Sequence, residues 1–240
     1  IFRKEGLIAG VTCEEDDYNR FAGGLGLVLK DLGNEKHPAV KYAFKAESLN
    51  EGLMTQGKVQ YVAQGYNFIK LGYPYTGKLQ VLRTISRYSY LWNRIRVQGG
   101  AYGAFSGFEK NGNMFMVSYR DPNLKETLKV YDEMYGYMKN FQIEEREMTK
   151  YIIGTISKLD LPLTPYMKGE RAIENYMRKI TAEDLQKERE EILGTRQQDI
   201  RELSDMMFEL MKRRSYCVLG SEMKIKENSE LFGSLVEVFE

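Results

Sequence analysis

Two short motifs constrain the fold of this chain more than any other stretch: Arg96-Val97-Gln98-Gly99-Gly100-Ala101-Tyr102-Gly103 and Ser118-Tyr119-Arg120-Asp121-Pro122-Asn123. Ahead of the first, Leu79, Leu82, Ile85, Leu91, Trp92 and Ile95 predict a long helix over residues 78–96, with all six available for burial. Gly99 and Gly100 then let the backbone reverse and admit close approach by another chain. Residues 101–108 and 114–119 read as a hairpin, because Asn111-Gly112 between them is a strong turn signal. Asp121 is placed to cap the next helix, with Pro122 at its first position. An arginine ending a helix thus stands six residues before a tyrosine that begins a strand. Such an arrangement can turn one charged and one phenolic donor toward a single oxygen atom.

The flanking sequence alternates strands and helices. Residues 7–12 predict a short strand, and Thr12 with Glu15 forms a capping box that starts a helix. The apolar face of that helix runs from Tyr18 and Phe21 through Leu25 and Leu29 to Leu32, with Gly33 as its stop. Residues 34–38 are polar and read as linker, whereas residues 51–68 are rich in strand formers, notably 59–63. Leu124, Leu128, Tyr131, Tyr135 and Met138 supply the buried stripe of the helix after Pro122. Further helices are expected at about 143–159, 165–180, 182–193 and 196–214, the middle two opened by Thr164-Pro165 and by Thr181 with Asp184. Residues 216–219 predict a last strand before an amphipathic tail. Hairpin strands beside helical blocks argue an α+β class, with helices packed on one face of a largely antiparallel sheet. The strand and acidic helix of the first 33 residues echo the strand and tail after residue 216. On that echo, residues 1–33 close a preceding domain, 34–49 form a linker, and 50–240 make up the next domain.

Composition narrows the function classes. A net charge of +1 gives no bulk field to recruit nucleic acid or an anionic membrane. Apolar runs fall far short of the roughly 20 residues needed to span a bilayer. With 42% hydrophobic and 29% charged residues, the chain has the balance of a packed soluble domain. The glycines near residue 100 lead into a strand and match no phosphate-binding pattern, which excludes nucleotide binding. Cys13 and Cys217 lack metal-ligand spacing and read as buried thiols. Ile1 in place of an initiator methionine, without a signal-peptide pattern, predicts a piece of a longer polypeptide, with the cytoplasm as the favoured compartment.

The single histidine, His37, lies in the polar linker, and one ligand makes no zinc site. Glu144, Glu145 and Glu147 read as a solvated helix start, favoured there by the helix dipole. Arg96 and Tyr102 would suit the oxyanion that forms when water attacks a peptide carbonyl, where one well-placed donor is worth about 3 kcal/mol. Structural roles fit the same residue types. Cations are favoured at a helix C-terminus, and Tyr102 could be an ordinary strand aromatic. Arg120 could likewise meet substrate or pair with a neighbouring carboxylate.

Arg96 to Gly103, Asn111-Gly112 and Ser118 to Asn123, taken in order with Asn50-Glu51-Gly52 and Val59-Gln60-Tyr61-Val62-Ala63-Gln64-Gly65, resemble a known domain. It is the C-terminal domain of presequence-protease-type peptidases, in the pitrilysin/insulinase group of inverted-motif zinc metallopeptidases. The resemblance spans most of residues 50–240. It implies four related α/β domains in two halves that close around an unfolded peptide, with a His-x-x-Glu-His zinc site in the first half. It implies that Arg96 and Tyr102 contact the scissile carbonyl, with Gly99, Gly100, Ala101 and Gly103 against the substrate. No His-x-x-Glu-His occurs here, so zinc is expected in the full-length enzyme and none is expected to bind this fragment. The expected partners are an unstructured peptide substrate and the N-terminal half of the same polypeptide, and the fragment alone is expected to be inactive. A non-catalytic scaffold domain of the same fold and a stand-alone peptide-binding module are the alternatives.

Overall fold

The computed structural model describes residues 3–38, 40–44 and 50–239; the rest, including parts of the expected linker and both chain ends, lie outside the described residues. The elements run α1 (Glu15–Lys30), β1 (Glu51–Thr55), β2 (Gln60–Asn67), α2 (Lys78–Ile85), a π-helix (Ser86–Val97), β3 (Gly103–Phe108) and β4 (Asn113–Asp121). They continue with α3 (Lys125–Asp132), α4 (Met134–Lys139), α5 (Glu145–Leu159), α6 (Pro165–Arg178), α7 (Ala182–Leu193), α8 (Gln197–Glu202) and α9 (Ser204–Lys212). The last three are β5 (Tyr216–Ser221), α10 (Glu222–Glu227) and β6 (Ser234–Glu237). Two units separate: residues 1–46 with 161–185, and residues 47–160 with 186–240.

The larger unit is an α+β domain on one six-stranded sheet of order β3-β4-β2-β5-β1-β6. β3/β4, β4/β2 and β2/β5 pair antiparallel, and β1 lies parallel to both β5 and β6. β4 shows why the sheet has an inside: Met114, Met116 and Ser118 are buried, and Phe115, Val117 and Tyr119 between them are only half-buried. Behind the inward face sit Tyr131, Met134, Met138 and Met207, each fully buried. Such side chains each contribute roughly 1.5–3 kcal/mol through lost apolar surface. The Tyr131 hydroxyl satisfies itself by donating to the Val62 carbonyl at 3.1 Å.

Four local expectations need correction. The helix over 78–96 is not uniform, since its second part winds as a π-helix. The helix expected over 196–214 is broken at Leu203 into α8 and α9. Tyr135 is 38% exposed and Met134 takes its place in the core, because the break at Glu133 between α3 and α4 rotates the following turn. Asp121 does not cap α3, which begins at Lys125.

The smaller unit differs more from expectation. Residues 7–12 form no strand; Leu7, Ile8 and Val11 are exposed, and among the described residues the only pairing nearby is a parallel bridge between Arg3 and Gly33. An extended segment without a neighbour to complete its ladder has nothing to hold it as a strand. Glu14, not Thr12, is the N-cap of α1, and no α1 residue is buried. Cys13 is exposed, contrary to the buried reading, whereas Cys217 is half-buried and burial pushes its thiol pKa up. The start signals of α6 and α7 do operate. Thr164 accepts from the Met167 amide at 3.3 Å, and Thr181 and Asp184 cap each other reciprocally at 3.2 and 2.9 Å.

Candidate functional site

In the π-helix the buried residues are Ser86, the adjacent Tyr90 and Leu91, and Ile95, so that successive turns return to the core after four or five positions. Ordinary α winding would bury Trp92 beside Leu91. The wider turn instead leaves Trp92 43% exposed, on the side that carries Tyr88 and Arg96, which corrects its assignment to the core. π turns are rare and recur at functional sites. The Arg96 guanidinium lies over the Trp92 ring at 4.1 Å, a cation–π contact that limits its rotamers.

The helix closes through a pair of bonds: Gly100 N–H donates to the Arg96 carbonyl at 3.0 Å, and Ala101 N–H to that of Ile95 at 3.1 Å. This resembles a Schellman closure lengthened by one residue, as i→i+5 winding demands. Gly100 has φ +80°. Gly99 needs no positive φ, yet a Cβ there would lie 2.6 Å from the Ile95 carbonyl oxygen. Each position therefore requires glycine, for a different reason.

The second motif locks onto this hinge through a β-bulge. Between the Gln60–Asp121 and Val62–Ser118 pairs, Tyr119 and Arg120 together oppose Tyr61. The bulge holds Arg120 at φ +48°, and Asp121 beyond it turns inward to full burial. One Asp121 oxygen accepts from the Asn123 amide at 2.9 Å and the other from the Thr127 hydroxyl at 2.7 Å. Its role is thus to close a turn. That turn delivers Asn123, whose side-chain amide donates to the Gly99 carbonyl at 2.6 Å. The Tyr102 N–H donates to the Arg120 carbonyl at 3.3 Å. The two motifs are one structure, tied together at the glycine pair.

Above the hinge opens a cleft of about 360 Å³, lined by Arg83, Arg87, Trp92, Arg96, Tyr102 and Tyr119 among others. Tyr102 is 59% exposed and meets Tyr119 edge-on at 5.5 Å, with the Arg120 guanidinium 5.7 Å from its ring. Gly103 makes room for Tyr119, since a Cβ there would sit 2.5 Å from that ring. Among the described residues, neither the Arg96 guanidinium nor the Tyr102 hydroxyl has a hydrogen-bond partner. Of the residues singled out from sequence, Arg96, Tyr102 and Gly103 line the cleft, Gly99 and Gly100 form the hinge, and Ala101 is buried beneath it. Arg83, Arg87, Tyr88 and Phe105 also line the cleft and were not anticipated. Their signal was the run Arg83, Arg87, Trp92, Arg96, which marks a face only when spaced at four to five residues. His37 is exposed, 3.5 Å from Glu35, and among the described residues no group of three His, Cys, Asp or Glu could hold a metal ion.

Comparison with known proteins gives a consistent answer. The family model of the PreP C-terminal domain matches residues 50–220. Protein HypA of Clostridium perfringens is 45% identical over 238 residues, covering 99% of this chain and 24% of that protein. Presequence protease 1 (chloroplastic/mitochondrial) of Arabidopsis thaliana is 35% identical over 156 residues, covering 65% of this chain and 14% of the relative. This chain therefore spans a quarter or less of the length of these relatives. Among solved structures, pitrilysin superposes with a TM-score of 0.61 at 13% identity, over 93% of this chain and 25% of that one. A protease from Helicobacter pylori gives 0.57 at 15% identity, over 82% and 51%. At such identities the structural matches speak for the fold alone.

Proposed function

This chain belongs to the PreP C-terminal domain family, and from that premise we propose that it is the substrate-binding half-domain of a zinc-dependent endopeptidase acting on unstructured peptides, in which Arg96 and Tyr102 hold the scissile carbonyl. The observation that carries this reading is a pair of donors, one cationic and one phenolic, at one cleft and without partners of their own among the described residues. A carbonyl under attack by water becomes a tetrahedral oxyanion, and donors already aimed at it lose no reorganisation energy as charge develops. The stack on Trp92 and the edge contact with Tyr119 supply that preorganisation. Arg96 carries full charge, and Tyr102 gives a directional neutral donor. Because their contacts strengthen as the oxyanion forms, they act on turnover more than on binding.

The resemblance implies zinc, but the donor set of this chain does not fit it: there is one histidine and, among the described residues, no cluster that could ligate a metal. The metal site then belongs to another part of the polypeptide, and the contribution of these residues is to bind and orient the peptide. In the full-length polypeptide, Tyr102→Phe and Arg96→Ala should each lower kcat by about 10²-fold or more, with smaller changes in KM. Unchanged kcat in both variants would favour a scaffold domain of the same fold.

A further inference from the structure

We infer that the cleft selects peptides carrying an acidic side chain three or four residues from the bond to be cut, read by Arg83 and Arg87. The inference rests on the carbonyl-holding role proposed for Arg96 and Tyr102, and adds which peptides that site accepts. No acidic residue lines the cleft. Three guanidiniums do, and among the described residues none of Arg83, Arg87 and Arg96 has a carboxylate partner. Arg83 is fixed by donation from Nε to the Ser106 carbonyl at 3.2 Å, which leaves its terminal nitrogens free to fork around a carboxylate. Arg87 and Lys158 both lie over Tyr88, at 5.5 and 5.7 Å. Burial, then the nearby Arg83 and Arg87, hold the Lys158 pKa below the ordinary lysine value, as expected where like charges face one another uncompensated.

Two acids that neighbour basic residues of this region in sequence are engaged elsewhere. Asp160, two residues beyond Lys158, is held in a two-pronged pair by Arg189. Asp121, next to Arg120, is consumed by the turn that carries Asn123. A carboxylate on the peptide is the missing counter-charge. Arg87 precedes Arg96 by nine residues of the π-helix, which rises less per residue than the roughly 1.5 Å of an α-helix, so the two stand about 10 Å apart along its axis. An extended peptide covers that span in roughly three residues at about 3.3 Å each, and the reach of the arginine side chain extends this to a fourth.

The test uses the full-length polypeptide and one unstructured peptide with a single cleavage site. Glu, Gln or Lys is placed three and four residues from that site, first on one side and then on the other. On one side, kcat/KM should run Glu over Gln over Lys, with a Glu/Gln ratio of about 5 at low salt that shrinks toward about 2 at 0.5 M salt. Arg87→Gln should bring the ratio toward one, and Arg87→Glu should make the Lys peptide the better substrate. A ratio at or below one on both sides, or a preference that Arg87→Glu leaves intact, overturns the inference. Tyr102→Phe measured on the Gln peptide separates the two readings. A fall in kcat there with a flat Glu/Gln ratio defeats only the acidic preference, whereas an unchanged kcat defeats the carbonyl-holding role beneath it.

Discussion

Replacing Gly100 isolates the cost of the hinge from every other effect. Its φ of +80° lies where an L-residue loses about 1–2 kcal/mol. A Cβ there would meet only Pro122 Cγ at 3.6 Å, an ordinary contact, so sterics add nothing. Alanine also narrows the unfolded ensemble, which returns about 0.4–1 kcal/mol. Gly100→Ala should therefore lose a net ~1 kcal/mol, and Gly100→Asn, which tolerates the left-handed region, about half of that. With a urea slope of about 2–3 kcal/mol/M, the midpoint of Gly100→Ala falls by roughly 0.4 M. Trp92, the one tryptophan, sits in the cleft and reports the transition by fluorescence. Gly99→Ala should fall further, because its Cβ meets the Ile95 carbonyl oxygen at 2.6 Å, and Gly99→Asn should be no better. An unshifted midpoint for Gly100→Ala, or equal losses for Gly100→Ala and Gly100→Asn, would refute the argument.

Two further outcomes follow from the larger unit. Glu188 is buried at 7% exposure, accepts from the Tyr75 hydroxyl at 2.5 Å and meets the partly exposed Lys110 at 2.6 Å, so Glu188→Ala should cost about 1–3 kcal/mol by leaving the Tyr75 hydroxyl without its acceptor; an unchanged thermal midpoint would contradict that. Hydrogen bonding from Arg189 holds the Asp160 carboxyl below its ordinary pKa, so the pair stabilises the fold above the normal carboxylate range and loses its effect as pH falls through the depressed value. The stability difference between wild type and Arg189→Gln should accordingly be present at about pH 7 and shrink as the pH is taken below the ordinary carboxylate range, as read by denaturant titration across that range.

The strands β1 to β5, the hairpin turn and the caps of α6 and α7 were legible because each depends on a few neighbouring residues, whereas β6 falls in the expected amphipathic tail. Asn111-Gly112, Thr164-Pro165 and Thr181 with Asp184 act locally and do as their chemistry requires. The π-helix was not legible, since nothing in residues 86–97 announces a winding other than 3.6. That one change moved Trp92 from core to cleft and assembled Arg83, Arg87 and Arg96 on one face. Asp121 looked like a cap because Asp-Pro commonly is one. Its actual partners, Asn123 and Thr127, depend on a bulge opposite Tyr61 that only strand pairing creates. Residues 7–12 carried strand-forming residues without a neighbouring strand, and tertiary partners decide such segments. Arg96 and Tyr102 were singled out from spacing and resemblance. What positions them, the Asn123 bond to Gly99 and the Trp92 stack, needed the structure.

The most direct test compares a peptide whose scissile amide is replaced by a tetrahedral phosphinate with the cleavable peptide of the same sequence, across wild type, Arg96→Ala, Arg96→Lys, Tyr102→Phe and the double variant of the full-length polypeptide. If both side chains grip the developing oxyanion, the logarithm of the inhibition constant should track that of KM/kcat with a slope near one, and KM should barely move. Inhibitor affinity that stays level while turnover falls, or turnover that stays level throughout, would remove Arg96 and Tyr102 from the reaction.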